Sequence, residues 1–247
     1  MANTIALVTG ANQGIGFEIA KKLATEQKDY HVIMAGRRKE AIEEAAQKLK
    51  HMGLSVEPLV LDVKSDASIE TAASSVTDKH GRLDVLINNA AIATAPTSAD
   101  GKPSTPREEL LQILNTNVAG IQGVTDAFIP LLEKATGTKR IVFISSGLGS
   151  LTYKADPSHL SRKTPWRPYT ISKTAENMLA LFYAAQFDER DDWKVNISCP
   201  GYCATNLNSY AGSNPPEHGA INACRLATLG PDGETNTFTN KDGITPW

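Results

Sequence analysis

Short apolar runs alternate along the chain with stretches whose apolar residues recur every three or four positions. Residues 5–8 (Ile-Ala-Leu-Val) are apolar without a break, the mark of a strand buried on both faces. After Gly16, the residues Ile19, Ala20, Leu23 and Ala24 fall on one helix face. A second apolar run covers 31–35, and Ala41, Ile42, Ala45, Ala46 and Leu49 make a second helix face that closes at Gly53. The same reading gives a strand over 56–61, a helix face of Ile69, Ala72, Ala73 and Val76, and a strand over 83–87. A polar, Pro-containing loop spans 95–104. The next helix opens with a capping box, Thr105-Pro106-Arg107-Glu108, with proline at its first helical position. Further strands are predicted over 140–144, 195–198 and, short, 236–239, with a long helix over 169–187.

This alternation predicts an α/β fold: one Rossmann-like, doubly wound parallel sheet with helices on both faces, in a single domain over 1–247. Ligands of such sheets bind beyond the carboxyl ends of the strands. The residues just after each strand are therefore the candidates for chemistry.

Composition narrows the field further. Of 247 residues, 41% are hydrophobic and 21% charged, as in an ordinary globular protein, and the net charge of −2 offers nothing to nucleic acid or an anionic membrane. The apolar runs fall short of a membrane span, and the opening Met1-Ala2-Asn3-Thr4 shows no signal peptide. Three cysteines, odd in number, argue against a disulfide framework and for a cytoplasmic setting. Cys199 and Cys203 have no histidine at ligand spacing, so no metal is expected.

After the first strand comes Thr9-Gly10-Ala11-Asn12-Gln13-Gly14-Ile15-Gly16, opening into a helix. Glycines permit close approach of backbone to phosphate, and the helix start offers free N–H groups and a positive dipole end. Gly10, Asn12, Gln13, Gly14, Ile15 and Gly16 are the candidate cradle. The second strand ends in Gly36-Arg37-Arg38. An acid near here, ~20 residues past the glycines, would bind a free ribose 2′-hydroxyl. Arg37 and Arg38 stand there instead, and a guanidinium suits a 2′-phosphate, so NADPH/NADP+ is expected over NADH; solvated helix-start arginines are the plain alternative. Asp62 and Val63 end the third strand, with Asp62 either accepting from an adenine amino group or capping a helix. Asn88-Asn89-Ala90-Ala91 ends the fourth, and its small side chains let the chain approach a ribose.

Tyr169 and Lys173 are four residues apart, on one face of the predicted helix. A nearby ammonium lowers a phenol's pKa, which would make Tyr169 a usable proton donor. Taken alone, the pair also fits a solvated surface pair.

Together these pieces resemble the short-chain dehydrogenase/reductase family, and within it the NADPH-dependent carbonyl reductases. The resemblance rests on the glycine turn, Asp62, Asn88-Asn89-Ala90, Asn117-Val118-Ala119-Gly120, Ser145-Ser146, Tyr169 to Lys173, and Pro200-Gly201 with Thr205. It implies a nicotinamide-dependent carbonyl/alcohol oxidoreductase. Tyr169 would donate a proton to the carbonyl oxygen, and Ser146 would hold that oxygen. Lys173 would bind the nicotinamide ribose and keep the tyrosine acidic. Asn117 would hold a water linking Lys173 to solvent, while Pro200, Gly201 and Thr205 would meet the carboxamide. For Asn117 a helix kink or a buried amide, and for the serines a strand-end cap, are the structural alternatives.

There are departures from the family. Ala91 replaces the usual glycine, and Gln13 stands where many NADPH-using members carry a basic residue, leaving Arg37 as the main support for NADPH. Tyr169 lies further beyond Ser146 than in common members. The extra stretch is expected at the substrate entrance, where it would also crowd the helix packing that builds tetramers in the family. Within it His159 reads as a solvated loop residue, with substrate contact as the alternative.

Segments 92–105, 147–168 and 202–220 are the expected substrate loops, and the run 212–216 suits a mobile lid. Leu148, Leu151, Tyr153, Trp166 and Tyr202 would wall an apolar pocket for a ketone or aldehyde with hydrophobic bulk. The alternatives are an NAD-dependent alcohol dehydrogenase of the same fold and a non-catalytic nucleotide sensor. A small-molecule substrate is expected, and the pattern leaves monomer or homo-oligomer open.

Overall fold

The computed structural model describes residues 3–95, 97, 98 and 100–247. Met1 and Ala2, and Pro96 and Ala99 of the expected loop 92–105, lie outside the described residues. The strands are β1 (Thr4–Thr9), β2 (Tyr30–Gly36), β3 (Val56–Val60), β4 (Val85–Asn88), β5 (Lys139–Ile144), β6 (Trp193–Ser198), β7 (Phe238–Asn240) and β8 (Gly243–Ile244). They form one sheet in the order β3-β2-β1-β4-β5-β6-β7-β8. All pairings are parallel except the last, β7 with β8. The order reverses between β1 and β4, which is where a doubly wound sheet opens a crevice for a ligand.

The unbroken apolar strands are explained by two cores, one on each face. On β1, Ile5 and Leu7 enter one with Phe128, Phe143, Tyr183 and Trp193. Ala6 and Val8 point the other way, toward Ile19, Leu23, Ile42, Leu49 and Leu226. Helices α1 (Gly14–Glu26), α2 (Lys39–His51) and α8 (Pro216–Ala227) cover the second face; α3 (Asp66–His80), α5 (Gly120–Leu132) and α7 (Arg167–Gln186) cover the first.

Helix α4 (Pro106–Leu114) begins at the predicted capping box, with Thr105 and Glu108 exchanging hydrogen bonds with each other's backbone. It runs through a π-helical turn, Asn115–Ala119, into α5. A π turn inserted between two α-helices often marks a functional position, and Asn117 sits inside this one.

Two expected loops contain helix. The segment 147–168 includes α6 (Leu151–Ala155) and a 3-10 turn at Leu160–Lys163. Residues 216–220, assigned to the third loop, are the first turn and a half of α8, where Gly219 and Ala220 pack inward. The lid-like run is thus fixed at its far end.

Among the described residues, no helix is long and apolar enough to cross a membrane. Cys199, Cys203 and Cys224 are buried free thiols. At the opposite end of the strands from the glycine turn, Nε2 of His80 and of His31 lie 2.5 and 3.5 Å from one oxygen of Glu57. That trio has the composition of a metal site. However, the Lys79 ammonium sits on the other Glu57 oxygen, and Lys79, Lys50 and Arg82 add positive charge around the imidazoles. A further cation there would be repelled.

Candidate active site

A cleft of about 360 Å³ is lined by residues that follow each of the first six strands. Gly10, Asn12, Gln13, Gly14, Ile15 and Gly16 line it beside the start of α1, and Arg37, Asp62 and Val63 follow β2 and β3. Asn89 and Ala90 come from β4, Tyr169 and Lys173 from α7, and Pro200 and Thr205 from beyond β6. Of the predicted residues, Arg38, Asn117, Ser146 and Gly201 do not line this cleft. Arg38 is instead the N-cap residue of α2, with its side chain exposed.

The glycine turn is tied to the end of β4. Asn89 Nδ2 donates to the carbonyls of Thr9 (2.8 Å) and Gly10 (3.3 Å), while the Asn89 and Ala90 amides donate to Thr9 Oγ1. Gly10 has φ +65, and a Cβ on Gly16 would fall 2.4 Å from Asn89 Nδ2 and 2.5 Å from the Gly10 oxygen. Neither position tolerates a side chain without moving that seam. Gly16→Ala is expected to weaken dinucleotide binding at least about tenfold and to cost about 1–3 kcal/mol of stability, as overpacking does. A titration and a thermal melt check both.

Asp62 does not cap α3, because Ser65 does. Its Oδ1 accepts from the Lys64 amide at 3.0 Å, and it remains open to the cleft.

A second cavity of about 500 Å³ shares Ile15, Tyr169, Pro200, Thr205 and Leu207 with the first. Ser146 and Gly201 line it, and so do the expected Leu148, Trp166 and Tyr202. Leu151 and Tyr153 do not. Leu151 turns outward to solvent, and Tyr153 stacks on His159 with centroids 3.9 Å apart. His159 itself faces the cavity, pinned by Ser161 through its Nδ1 (2.8 Å), so it is not a solvated loop side chain.

The two serines after β5 have separate fates. Ser145 is buried and bonded to Asn177 Oδ1 at 2.5 Å. Ser146 accepts from the Leu148 amide at 3.2 Å, and its hydroxyl borders the cavity within hydrogen-bonding influence of Tyr169.

Asn117 is completely buried. Its Nδ2 donates to the Ile92 carbonyl (2.8 Å) and Ser172 Oγ (3.0 Å), and its Oδ1 accepts from the Ile92 amide (2.9 Å). Both amide protons are committed, so the side chain clamps the segment after β4 to α7.

Tyr169 is partly buried, with the Lys173 ammonium 5.7 Å from its ring centroid and Trp166 edge-on at 6.4 Å. The expectation from the pair alone was a lowered phenol pKa; here it is raised. Burial is the largest cause, and it outweighs the downward pull of Lys173. Glu176 and Cys199 push it up further, with Ser146 pulling down. Lys173 is nearly inaccessible, and its Nζ donates to the Ile144 carbonyl (2.8 Å) and to Glu176 Oε2 (2.6 Å). Burial opposes its charge most strongly, but Glu176, Tyr169 and Cys199 together outweigh it and hold the ammonium above its ordinary pKa.

Pattern reading passed over several residues of this region. Lys64, Thr94 and Asn206 line the first cleft. Each lies next to a motif or just past a strand, which was the available signal. Glu176 was also passed over, although it falls seven residues after Tyr169 on the same helix face.

The family model of short chain dehydrogenases matches residues 4–215. The chain belongs to the short-chain dehydrogenase family. It is 35% identical to the short-chain dehydrogenase/reductase ATR10 of Stachybotrys chlorohalonatus, over 98% of this chain and 90% of that one. To carbonyl reductase (NADPH) 1 of Mus musculus it is 29% identical, over 98% of both chains. The solved structure of an NADPH-bound carbonyl reductase from chicken fatty liver superposes with a TM-score of 0.81 at 25% identity, covering 100% of this chain and 99% of that one. The Rossmann-like sheet and the oxidoreductase family are therefore established for this short-chain dehydrogenase, and carbonyl reductases are among its relatives.

Proposed function

We propose that this protein is an NADPH-dependent carbonyl reductase that reduces a ketone or aldehyde with hydrophobic bulk, with Tyr169 as the proton donor. The observation that carries the reading is the place of Tyr169, at the junction of the cleft beside the glycine turn and the more apolar second cavity. The second cavity has the size of a small-molecule site. Relatives named for NADPH and for carbonyl reduction support the same reading. Three reduced, buried thiols suit a cytoplasmic enzyme.

The cleft fits the dinucleotide: a glycine turn that a Cβ would fill, a helix N-terminus, and a cationic side chain after β2. The turn and the start of α1 would hold the phosphates, Arg37 the 2′-phosphate, and Asp62 with Val63 the adenine. Asn89 and Ala90 would lie along one ribose, Lys173 would hold the other, and Pro200, Gly201 and Thr205 would meet the carboxamide. When bound, the cofactor supplies the hydride.

The chain's own residues do the rest. Ser146 donates a hydrogen bond to the substrate oxygen as negative charge grows there. Tyr169 passes its proton to that oxygen, and its raised pKa keeps it in the donating form at neutral pH. Asn117 secures α7, which carries Tyr169, rather than holding a water through its side-chain amide. Leu148 and Trp166 shield the substrate from water, and the exposed Leu160 and Tyr202 edge the same cavity.

The cofactor choice is tested by titrating NADPH and NADH into wild type and Arg37→Ser. A charge-assisted contact predicts NADPH binding about ten- to a hundredfold tighter than NADH, collapsing in the variant. Equal affinities in the wild type would remove NADPH from the proposal and leave the chemistry in place.

A further inference from the structure

We propose that Glu176 is a positioning residue that sets the charge Lys173 presents to Tyr169, and so keeps Tyr169 a phenol on the alkaline side of neutrality. It rests on the reading of Tyr169 as proton donor. Tyr169, Lys173 and Glu176 follow one another at four- and three-residue steps along α7, so all three lie on its buried face. Glu176 is fully buried, and its Oε2 accepts from Lys173 Nζ at 2.6 Å. Among the described residues, its Oε1 has no hydrogen-bond partner. A buried carboxylate with one oxygen unsatisfied is costly unless its charge matters to a neighbour or is removed by a proton.

Few charges compete with it. Lys173 and Glu176 on the helix, and Cys199 just past β6, are the ionisable groups that act most strongly on Tyr169 among the described residues. Burial pushes the Cys199 thiol up, so it stays neutral. From β5 the site is faced by the Ile144 carbonyl and Ser146, and from the π turn by Asn117, none of which carries charge. The electrostatics at Tyr169 therefore come down to one ammonium and one carboxylate.

The direction follows. Burial pushes Glu176 up to about 7, while Lys173 pulls it down. With Glu176 ionised, the pair is neutral and Tyr169 keeps its proton. With Glu176 protonated, the full ammonium charge acts on the phenol and favours phenolate. The ionised carboxylate thus biases the site toward proton donation, the carbonyl-reducing direction, and against the phenolate that alcohol oxidation needs as base.

The test uses Glu176→Gln, which keeps the shape and an acceptor for Lys173 but not the charge, beside Glu176→Asp and wild type. In the Gln variant the alkaline limb of the kcat/KM profile for carbonyl reduction is expected to move down by about one pH unit. Alcohol oxidation at mildly alkaline pH should rise by up to about tenfold. The phenolate absorbance assignable to Tyr169, by difference from Tyr169→Phe, should appear at lower pH by the same shift without any substrate. Asp should hold near the wild-type limb. An unmoved limb and an unmoved phenolate titration in a folded Gln variant would overturn the proposal. Were the Gln variant unable to fold, the wild-type infrared carboxyl band decides. A Glu176 side chain that is a carboxylate on the alkaline side of neutrality supports the proposal, and a protonated carboxyl band that persists there overturns it. An active Tyr169→Phe enzyme would instead count against the proton-donor reading, a result separable from these.

Discussion

Tyr169→Phe is expected to lower carbonyl reduction by about 10²–10⁴-fold, the usual share of a positioned general acid. Dinucleotide affinity should stay within about twofold of wild type. The ring packs edge-on against Trp166 and lies beside the Lys173 ammonium, and both contacts survive the loss of the hydroxyl. Removing one oxygen therefore takes away the proton and little else. What remains is positioning, with Ser146 still able to hold the substrate oxygen. An equal fall in kcat and kcat/KM marks an interaction made only in the transition state. A rise in KM with kcat unchanged would instead assign the hydroxyl to substrate binding.

Lys173→Met is expected to cost about 1–2 kcal/mol of stability at mildly alkaline pH, together with most of the activity. The methionine fills the space, but Glu176 is then left as a buried carboxylate without the Lys173 ammonium, its one partner among the described residues. The loss should depend on pH in a definite direction. Glu176 titrates near 4.5 when unfolded and is already pushed up to about 7 with Lys173 present. Without Lys173, burial alone acts and raises it further. An acid whose folded pKa is raised destabilises the fold as pH climbs from the unfolded value through the folded one. The gap between variant and wild-type melting temperatures should thus be small near pH 4.5 and widen toward about pH 8. Urea melts at several pH values measure it. A gap independent of pH would show that Glu176 is not left charged in the interior.

Much of this site is legible in the chain because its determinants are local. The glycine turn, the strand-end Asn89 and the Tyr169–Lys173 step are each set within one turn of backbone, so their spacing, together and in order along the chain, points to the site. Apolar runs at 5–8 and 31–35 predicted buried parallel strands, since both faces of this sheet are covered by helices. What escaped depends on contacts beyond one turn of backbone. The segment 147–168 has no period to read. Its shape comes from pairings such as Tyr153 on His159 and Lys154 Nζ on the carbonyls of Ser161 and Arg162, which turn His159 into the cavity and leave Leu151 outside. Helix α8 was hidden because Gly219 and its neighbours look like lid residues, whereas they pack against Ile15 and Cys203. The rise in the Tyr169 pKa escaped for the same reason: the lysine was visible, but burial and the carboxylate on the far side of it were not weighed.

The most direct measurement of the central claim is loss of the reduced nicotinamide absorbance with purified protein, a panel of bulky ketones and aldehydes, and NADPH or NADH. The account predicts carbonyl-dependent oxidation of NADPH, slower with NADH, and absent in Tyr169→Phe. Normal NADPH binding without turnover of any carbonyl, or turnover that survives in Tyr169→Phe, would contradict it.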